Sequence, residues 1–370
     1  MRVAIVHDWL TGMRGGERVL EALLDLFPGA EIFTLVHVRG SVSELIERRP
    51  IHTSFLNRLP VTRNRFRHFL PLFPAAVRQF GFDGFDLVLS SSHCVAKSVV
   101  VPDPIPHLCY CHTPMRYVWD QYDVYFGPAH ASAPVRLTMR WLAPHLRRWD
   151  SATAHRPTRF VANSLHVQER IRRHYHREAT VVYPPVAIDR FRSAGQRTAE
   201  YLIVSALVPY KRIDLAVQAF NRMEQTLVIV GDGPERRRLE RMAAPHITFT
   251  GRLSDTQVAD RMARCRAFVL PGEEDFGIAA VEAQAAGAPV IALGRGGALE
   301  TVRGARAGER WPDDATGVFF DDPTPAAIVK AVHAFEGASF DEASLVRNAR
   351  RFAPDRFRAG MRAQIDAVLG

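Results

Sequence analysis

Short apolar runs alternate with stretches of helical period along nearly the whole chain. In the first half, residues 2–6, 31–36, 87–91, 107–111 and 159–162 read as strands, each a short, largely apolar run. Between the first two, Val19, Leu20, Leu23, Leu24 and Phe27 recur on one face of a helix from about Gly16 to Leu26. Asn163 and Ser164 suit the cap of a helix running on through Ile171. The second half repeats the alternation, with strands at 201–206, 226–230, 247–250, 267–270 and 289–292. Its helices are expected at 213–221, 234–242, 255–263, 277–286 and 298–303. Strand and helix in turn predict parallel sheets covered on both faces, so each half reads as doubly wound α/β. The pattern breaks at VVYPPVAID, residues 181–189, where two prolines forbid both a helix interior and a central strand. Two domains are expected, residues 1–183 and 184–351, with a terminal helix at 352–370 returning to the first.

Composition narrows the class without naming a chemistry. A chain of 370 residues, 47% hydrophobic and 24% charged, suits two globular domains with real cores. No run approaches the roughly 18 apolar residues of a membrane span. His7 and Asp8 interrupt the opening apolar run before it makes a secretory leader, so a cytoplasmic protein is expected. Cys94, Cys109, Cys111 and Cys265 lack paired zinc-site spacing and are expected as buried thiols.

The net charge of +9 calls for an anionic partner. Between residues 48 and 82, Arg48, Arg49, Arg58, Arg63, Arg65, Arg67 and Arg78 occur without one acidic residue. Phe55, Leu56, Leu59, Phe66, Phe69, Leu70, Leu72, Phe73 and Val77 are interleaved with them. Such a segment suits the anionic inner face of a membrane, or equally a solvated helical face over a core. Nucleic acid is not expected as a partner, because no binding motif accompanies the charge.

Candidate chemistry concentrates at strand-to-helix junctions. In PGEEDFGIAAVEAQAAGAPVIA, residues 271–292, Glu274 precedes Glu282 by eight positions. Glu274 sits in the loop, where a carboxylate can meet a ligand at the carboxyl ends of the strands. Phe276, Gly277 and Ile278 open the helix, so their amides and the positive end of its dipole face the same way. Glu282, deeper in an Ala-rich helix, needs hydroxyl or amide partners, such as the two hydroxyls of a ribose. The alternative is an acidic loop before an ordinary helix. Gly15 and Gly16 let backbone approach a pyrophosphate, or simply make a turn. Glu17 follows as a first-turn acid that complements the dipole. His112 leaves the strand HLCYC and should project at its end. Lys211 is one of three lysines, with Lys97 and Lys330, in an arginine-rich chain, and a compact ammonium at such a turn suits a phosphate.

Taken in order, these segments resemble the retaining family-four glycosyltransferases of GT-B fold. PGEEDFGIAAVE resembles that family's E-x7-E signature, and HDWLTGMRGGERVLEAL its glycine loop. CHTPMRYVWD resembles its active-site histidine segment and SALVPYKRIDLAV its phosphate-clamping lysine segment. GDGPE and TFTGRLSD resemble the strand ends that frame the nucleotide. The resemblance spans nearly the whole chain and implies two Rossmann-like domains facing a central cleft. It also implies a nucleotide-sugar donor, with His112 and Glu274 on the hexose, Lys211 on the leaving diphosphate and Glu282 on the ribose. Backbone near Arg252 and Leu253 would read the base. The family's second phosphate-binding arginine is replaced here by Ala206, and Arg212 or Arg295 is expected to supply the missing charge.

No two aspartates stand in D-x-D spacing, so fixed cations and amides rather than a metal are expected to neutralise the leaving group. No cofactor is expected beside the donor. The resemblance favours bacterial polysaccharide and O-antigen enzymes, hence GDP-mannose as donor and a glycan or lipid-linked glycan as acceptor. A non-hydrolysing nucleotide-sugar epimerase and a non-catalytic basic adaptor are the rival readings. An intact G-x-G-x-x-G after the first strand, which a dinucleotide oxidoreductase would carry, is absent.

Overall fold

The computed structural model describes residues 1–59, 66–128 and 131–370. The chain forms two compact units, one of Met1–Pro185 with Pro354–Gly370, the other of Val186–Ala353. In the first, β1 (Val3–His7), β2 (Glu31–Thr34), β3 (Ile51–Thr53), β4 (Leu87–Ser92), β5 (His107–Cys111), β6 (Arg159–Ala162) and β7 (Ala179–Val181) form one sheet. Its order is β3-β2-β1-β4-β5-β6-β7, with every pairing parallel. The strand order reverses direction between β1 and β4, and loops leaving the carboxyl ends of such a neighbouring pair open a crevice there.

The second unit repeats the plan. Its strands are β8 (Tyr201–Val204), β9 (Leu227–Val230), β10 (Ile247–Gly251), β11 (Ala267–Leu270), β12 (Val290–Leu293), β13 (Gly304–Arg306) and β14 (Gly317–Phe320). They pair in parallel in the order β10-β9-β8-β11-β12-β14-β13, so the reversal falls between β8 and β11. β3, β7, β13 and β14 are additions to the strands read from the apolar pattern.

Each sheet is buried by helices on both faces. In the first unit the helix Gly15–Leu26 seals one side with Val19, Leu20, Leu23 and Leu24. The terminal helix Pro354–Leu369 lies in the same cluster through Phe357, Met361 and Ile365, each contributing about 1.5–3 kcal/mol by leaving water. In the second unit Ile213, Ala216, Val217 and Phe220 of the helix Ile213–Phe220 pack over β8 and β9.

The basic stretch 48–82 turns most of its apolar side chains inward. Leu56, Phe66, Leu70, Phe73 and Val77 belong to the core, and Leu59 and Phe69 pack against it, leaving Phe55 and Leu72 exposed. Core burial, not an outward apolar face, therefore accounts for this amphipathic pattern. Arg63, Arg65 and the side chain of Arg67 lie outside the described residues. All four cysteines are free and buried.

Polar burial ties the centre of the first unit together. The Lys97 ammonium donates to the Asp150 carbonyl at 2.7 Å and Thr153 Oγ1 at 3.1 Å, and lies 3.1 Å from Asp150 Oδ1. The same carboxylate accepts from Trp119 Nε1 at 2.8 Å and the Tyr175 hydroxyl at 2.9 Å. So connected a pair orients the helix Ala133–Ala152, which carries Asp150, more than it adds stability.

His107 at the start of β5 lies 2.8 Å from Ser90 Oγ through Nε2. Burial, reinforced by the charges of Lys97 and Arg156, pushes its imidazole from the ordinary 6.5 down to about 3. Between these values the unfolded chain holds a proton that the folded chain does not. Stability is therefore expected to fall as pH drops from about 6.5 towards 3, and to be fully present above that window. The urea midpoint should decline through this range, and His107→Gln should flatten the decline; an equal slope in both proteins would refute the assignment.

Candidate functional site

Three backbone turns come together at the strand reversal of the second unit. After β8 the chain makes a single 3-10 turn, Pro209–Lys211, before the helix Ile213–Phe220. After β11 it passes through Pro271, Gly272 and Glu274 to the helix Ile278–Ala285. After β12 it turns through Gly294–Gly297. A Cβ on Gly272 would lie 2.8 Å from the carbonyl oxygens of both Tyr210 and Lys211, so only glycine lets these backbones meet. Gly296 has φ +62°, and its Cβ would fall 2.5 Å from the Glu274 carbonyl oxygen. Gly297 donates its amide to that same oxygen at 2.8 Å.

This packing brings Lys211 and Glu274 together. The ammonium donates to both carboxylate oxygens of Glu274, and both side chains are largely buried. One loop thus presents a cation and its neighbour an anion at the carboxyl edge of adjacent strands β8 and β11. Glu282 is half-buried, one turn into the helix that Gly277 initiates with φ +93°. Ile278 begins that helix. The Phe276 ring is buried against Phe352 at 5.2 Å between centroids, so this residue can offer a ligand only its backbone.

The two arginines named for the missing charge differ in circumstance. Arg212 adopts a left-handed conformation with φ 51°, and its guanidinium is held by Asp214 at 3.1 and 3.3 Å. Arg295 stands exposed in the turn that packs on Glu274, and Ala206 is exposed at the end of β8. Arg252 and Leu253 follow β10, two strands out from β8, so their loop leaves the sheet about 10 Å from the Lys211 strand.

In the first unit a second polar group assembles at the reversal between β1 and β4. The Asp8 carboxylate accepts four backbone amides, from His93, Cys94, Val95 and Ala96 at 2.6, 2.9, 2.6 and 2.8 Å. This fixes the loop after β4 against the end of β1. His112, immediately after β5, places Nε2 2.8 Å from Ser91 Oγ, and the same oxygen lies 3.1 Å from His7 Nδ1. Gly16 opens the helix beside both rings: a Cβ there would lie 3.4 Å from His7 Cε1 and 3.9 Å from His112 Nε2. Gly15 is the first residue of that helix.

Glu17 does more than complement a helix dipole. It is buried with its carboxylate 3.8 Å from His7 Nε2, a buried nitrogen with no hydrogen-bond partner among the described residues. A serine hydroxyl has one proton and so can donate to only one of two imidazoles. With His7 neutral, the Glu17 charge favours the proton on His7 Nε2, leaving Nδ1 to accept from Ser91. Ser91 Oγ then accepts from His112 Nε2–H, and His112 carries its lone pair on Nδ1. Sequence reasoning found His112, Gly15 and Gly16 but not Ser91, His7 or Asp8; nothing in a serine that ends a strand marks it as a link.

Comparison with known proteins adds the family. Residues 13–190 match the model described as Glycosyltransferase Family 4, and residues 188–352 the model described as Glycosyl transferases group 1. A GDP-mannose-dependent alpha-(1-6)-phosphatidylinositol monomannoside mannosyltransferase of Mycobacterium tuberculosis is 35% identical over 150 residues, 32% of this chain and 39% of that protein. The first two curated relatives are matched over only 42% and 39% of their own lengths.

Among solved structures, sucrose-phosphate synthase of Thermosynechococcus elongatus superposes with a TM-score of 0.74 at 18% identity, covering 100% of this chain and 99% of that one. Anabaena HepE in complex with UDP gives 0.70 at 16% identity, covering 99% and 100%. At these identities the likeness speaks for the fold alone. With the two family models meeting end to end over residues 13–352 and two parallel α/β units of GT-B type, the chain belongs to the family-four glycosyltransferases.

Proposed function

We propose that this chain is a retaining, metal-independent hexosyltransferase that moves mannose from GDP-mannose to a glycan or lipid-linked glycan acceptor. The observation that carries the reading is the Lys211–Glu274 pair at the β8/β11 reversal. A donor diphosphate needs a cation there, and a hexose needs a carboxylate to accept from its hydroxyls. Without donor, each group neutralises the other. When a diphosphate arrives it takes over the ammonium, and Glu274 turns to the sugar.

The reaction breaks the bond from the anomeric carbon to the phosphate oxygen and forms one from that carbon to the acceptor oxygen on the same face. The acceptor proton passes to a donor phosphate oxygen. Lys211 and the amides opening the helix at Ile278 stabilise the departing diphosphate. Arg295 supplies the second cation, since Asp214 already occupies Arg212. Glu282 serves the ribose, and backbone beside Arg252 and Leu253 the base. His112 serves the hexose, as a hydrogen-bond acceptor at Nδ1.

GDP-mannose and a lipid-borne acceptor are supported by the mycobacterial mannosyltransferase match. The UDP complex of HepE makes UDP-sugars the donors to compare with it. No helix among the described residues is long and apolar enough to cross a membrane. Work at the inner face of a membrane would thus require peripheral attachment of the described part.

Purified chain with GDP-mannose, a mannose-terminated glycolipid and excess EDTA is expected to release GDP at the rate seen without chelator, with the anomeric configuration retained by NMR. Strict dependence on manganese or magnesium would contradict the metal-free mechanism. Isomerised sugar from donor alone would identify an epimerase, and absence of turnover with every nucleotide sugar a non-catalytic adaptor.

A further inference from the structure

The helix Ala133–Ala152 carries apolar residues on two opposite sides. Met139, Ala143, Leu146 and Asp150 face inward, and the contacts of Asp150 with Lys97, Trp119 and Tyr175 fix the rotation of the helix about its axis. At 3.6 residues per turn, Leu137, Trp141, Pro144 and Arg148 then share the opposite side. Leu137 is 72% exposed and Trp141 69%. Arg140 and Arg148 are exposed beside them. From Val124 to Trp149 the chain holds four arginines and no acidic residue.

We propose that this outer helix face docks on an anionic lipid surface. Trp141 and Leu137 enter the boundary between headgroups and acyl chains, and Arg140 and Arg148 lie among the phosphates. Tryptophan suits that depth because its ring is apolar while its N–H can reach water. The charge requires an anionic partner. A second copy meeting this face across a two-fold axis would set arginines against the same arginines. Two exposed apolar side chains one turn apart on a helix, flanked by arginines, suit a fluid layer that closes around them. This surface takes the place of the 48–82 segment, whose apolar residues are largely committed to the core. The proposal deepens the reading of a lipid-linked acceptor, which it would bring within reach, but its test does not depend on transfer.

The full chain is floated with vesicles of phosphatidylcholine and phosphatidylglycerol, and separately with phosphatidylcholine alone. It should rise with the first in a salt-sensitive way and not with the second. Leu137→Ser/Trp141→Ser should lower partitioning by about tenfold or more. Arg140→Gln/Arg148→Gln should lower it by about twentyfold, since each arginine near such a surface contributes about fivefold. The stabilisation of the fold by GDP should be the same in both variants as in the parent, which shows that they fold and keep the donor site. The proposal is overturned if the parent chain floats with neither vesicle, or if the Leu137/Trp141 variant floats as well as the parent. A dimer lost on those substitutions, or arginine-dependent retention on single-stranded DNA, with no flotation, would overturn it equally. Failure of the donor reading would show separately, as no stabilisation by GDP or UDP in any of the proteins.

Discussion

Lys211→Ala is expected to lower kcat/KM for sugar transfer by about a thousandfold, the size found when one preorganised group that stabilises a leaving anion is removed. The loss has two parts. The diphosphate loses its cation, and Glu274, held by that ammonium in the parent, is left as an unpaired carboxylate where another anion must bind. The second part makes a sharper prediction than the first. Lys211→Ala/Glu274→Ala should bind GDP more tightly than Lys211→Ala alone, because the repulsion is gone, while transfer recovers nothing. Arg295→Gln should act in the same direction at smaller size, and Arg212→Gln less still. Calorimetry with GDP and initial transfer rates check both statements. Equal GDP affinity in the single and double variants would mean that the pair does not face the diphosphate.

His112→Ala should cost about a hundredfold or more in kcat, and Ser91→Ala about tenfold, with KM for the donor little changed in the latter. Ser91 touches no substrate in this account. Its hydroxyl sets which nitrogen of His112 carries the proton, through the link to His7 and the nearby Glu17 carboxylate. Ser91→Thr keeps the hydroxyl and should restore most of the rate. A merely structural serine would lower stability without lowering kcat of the folded protein, and threonine rescue of the rate would not follow.

Elements whose sequence pattern comes from burial on both faces were legible. β5 was read to the residue because HLCYC is a central strand of a parallel sheet, apolar on both sides. β3, with Ile51 as its single aliphatic residue, lies at a sheet edge and inside the basic stretch, where no period of two develops. β14 begins at Gly317, where a Cβ would fall 2.1 Å from the Val290 carbonyl oxygen, so a neighbouring strand dictates a residue that discourages a strand reading.

At the site, the turns carrying Lys211 and Glu274 could be read because glycine and proline mark close backbone approach. The Ser91 link could not: it joins side chains 84 and 21 positions apart, and only the parallel pairing of β1, β4 and β5 brings them together. The same limit explains the basic stretch. Amphipathic period shows that a segment has an apolar side but not whether core or lipid receives it. Leu137 and Trp141 have the spacing of core residues, and only the rotation imposed by Asp150 turns them outward.

The central claim is that protein groups at the carboxyl ends of β8 and β11 hold a nucleoside diphosphate without a metal. Titration of the full chain with GDP in excess EDTA, followed by calorimetry, tests it most directly. The account predicts saturable one-to-one binding that is unchanged by added magnesium and weakened about a hundredfold or more by Lys211→Ala. Binding that appears only with a divalent ion, or that Lys211→Ala leaves intact, would contradict it.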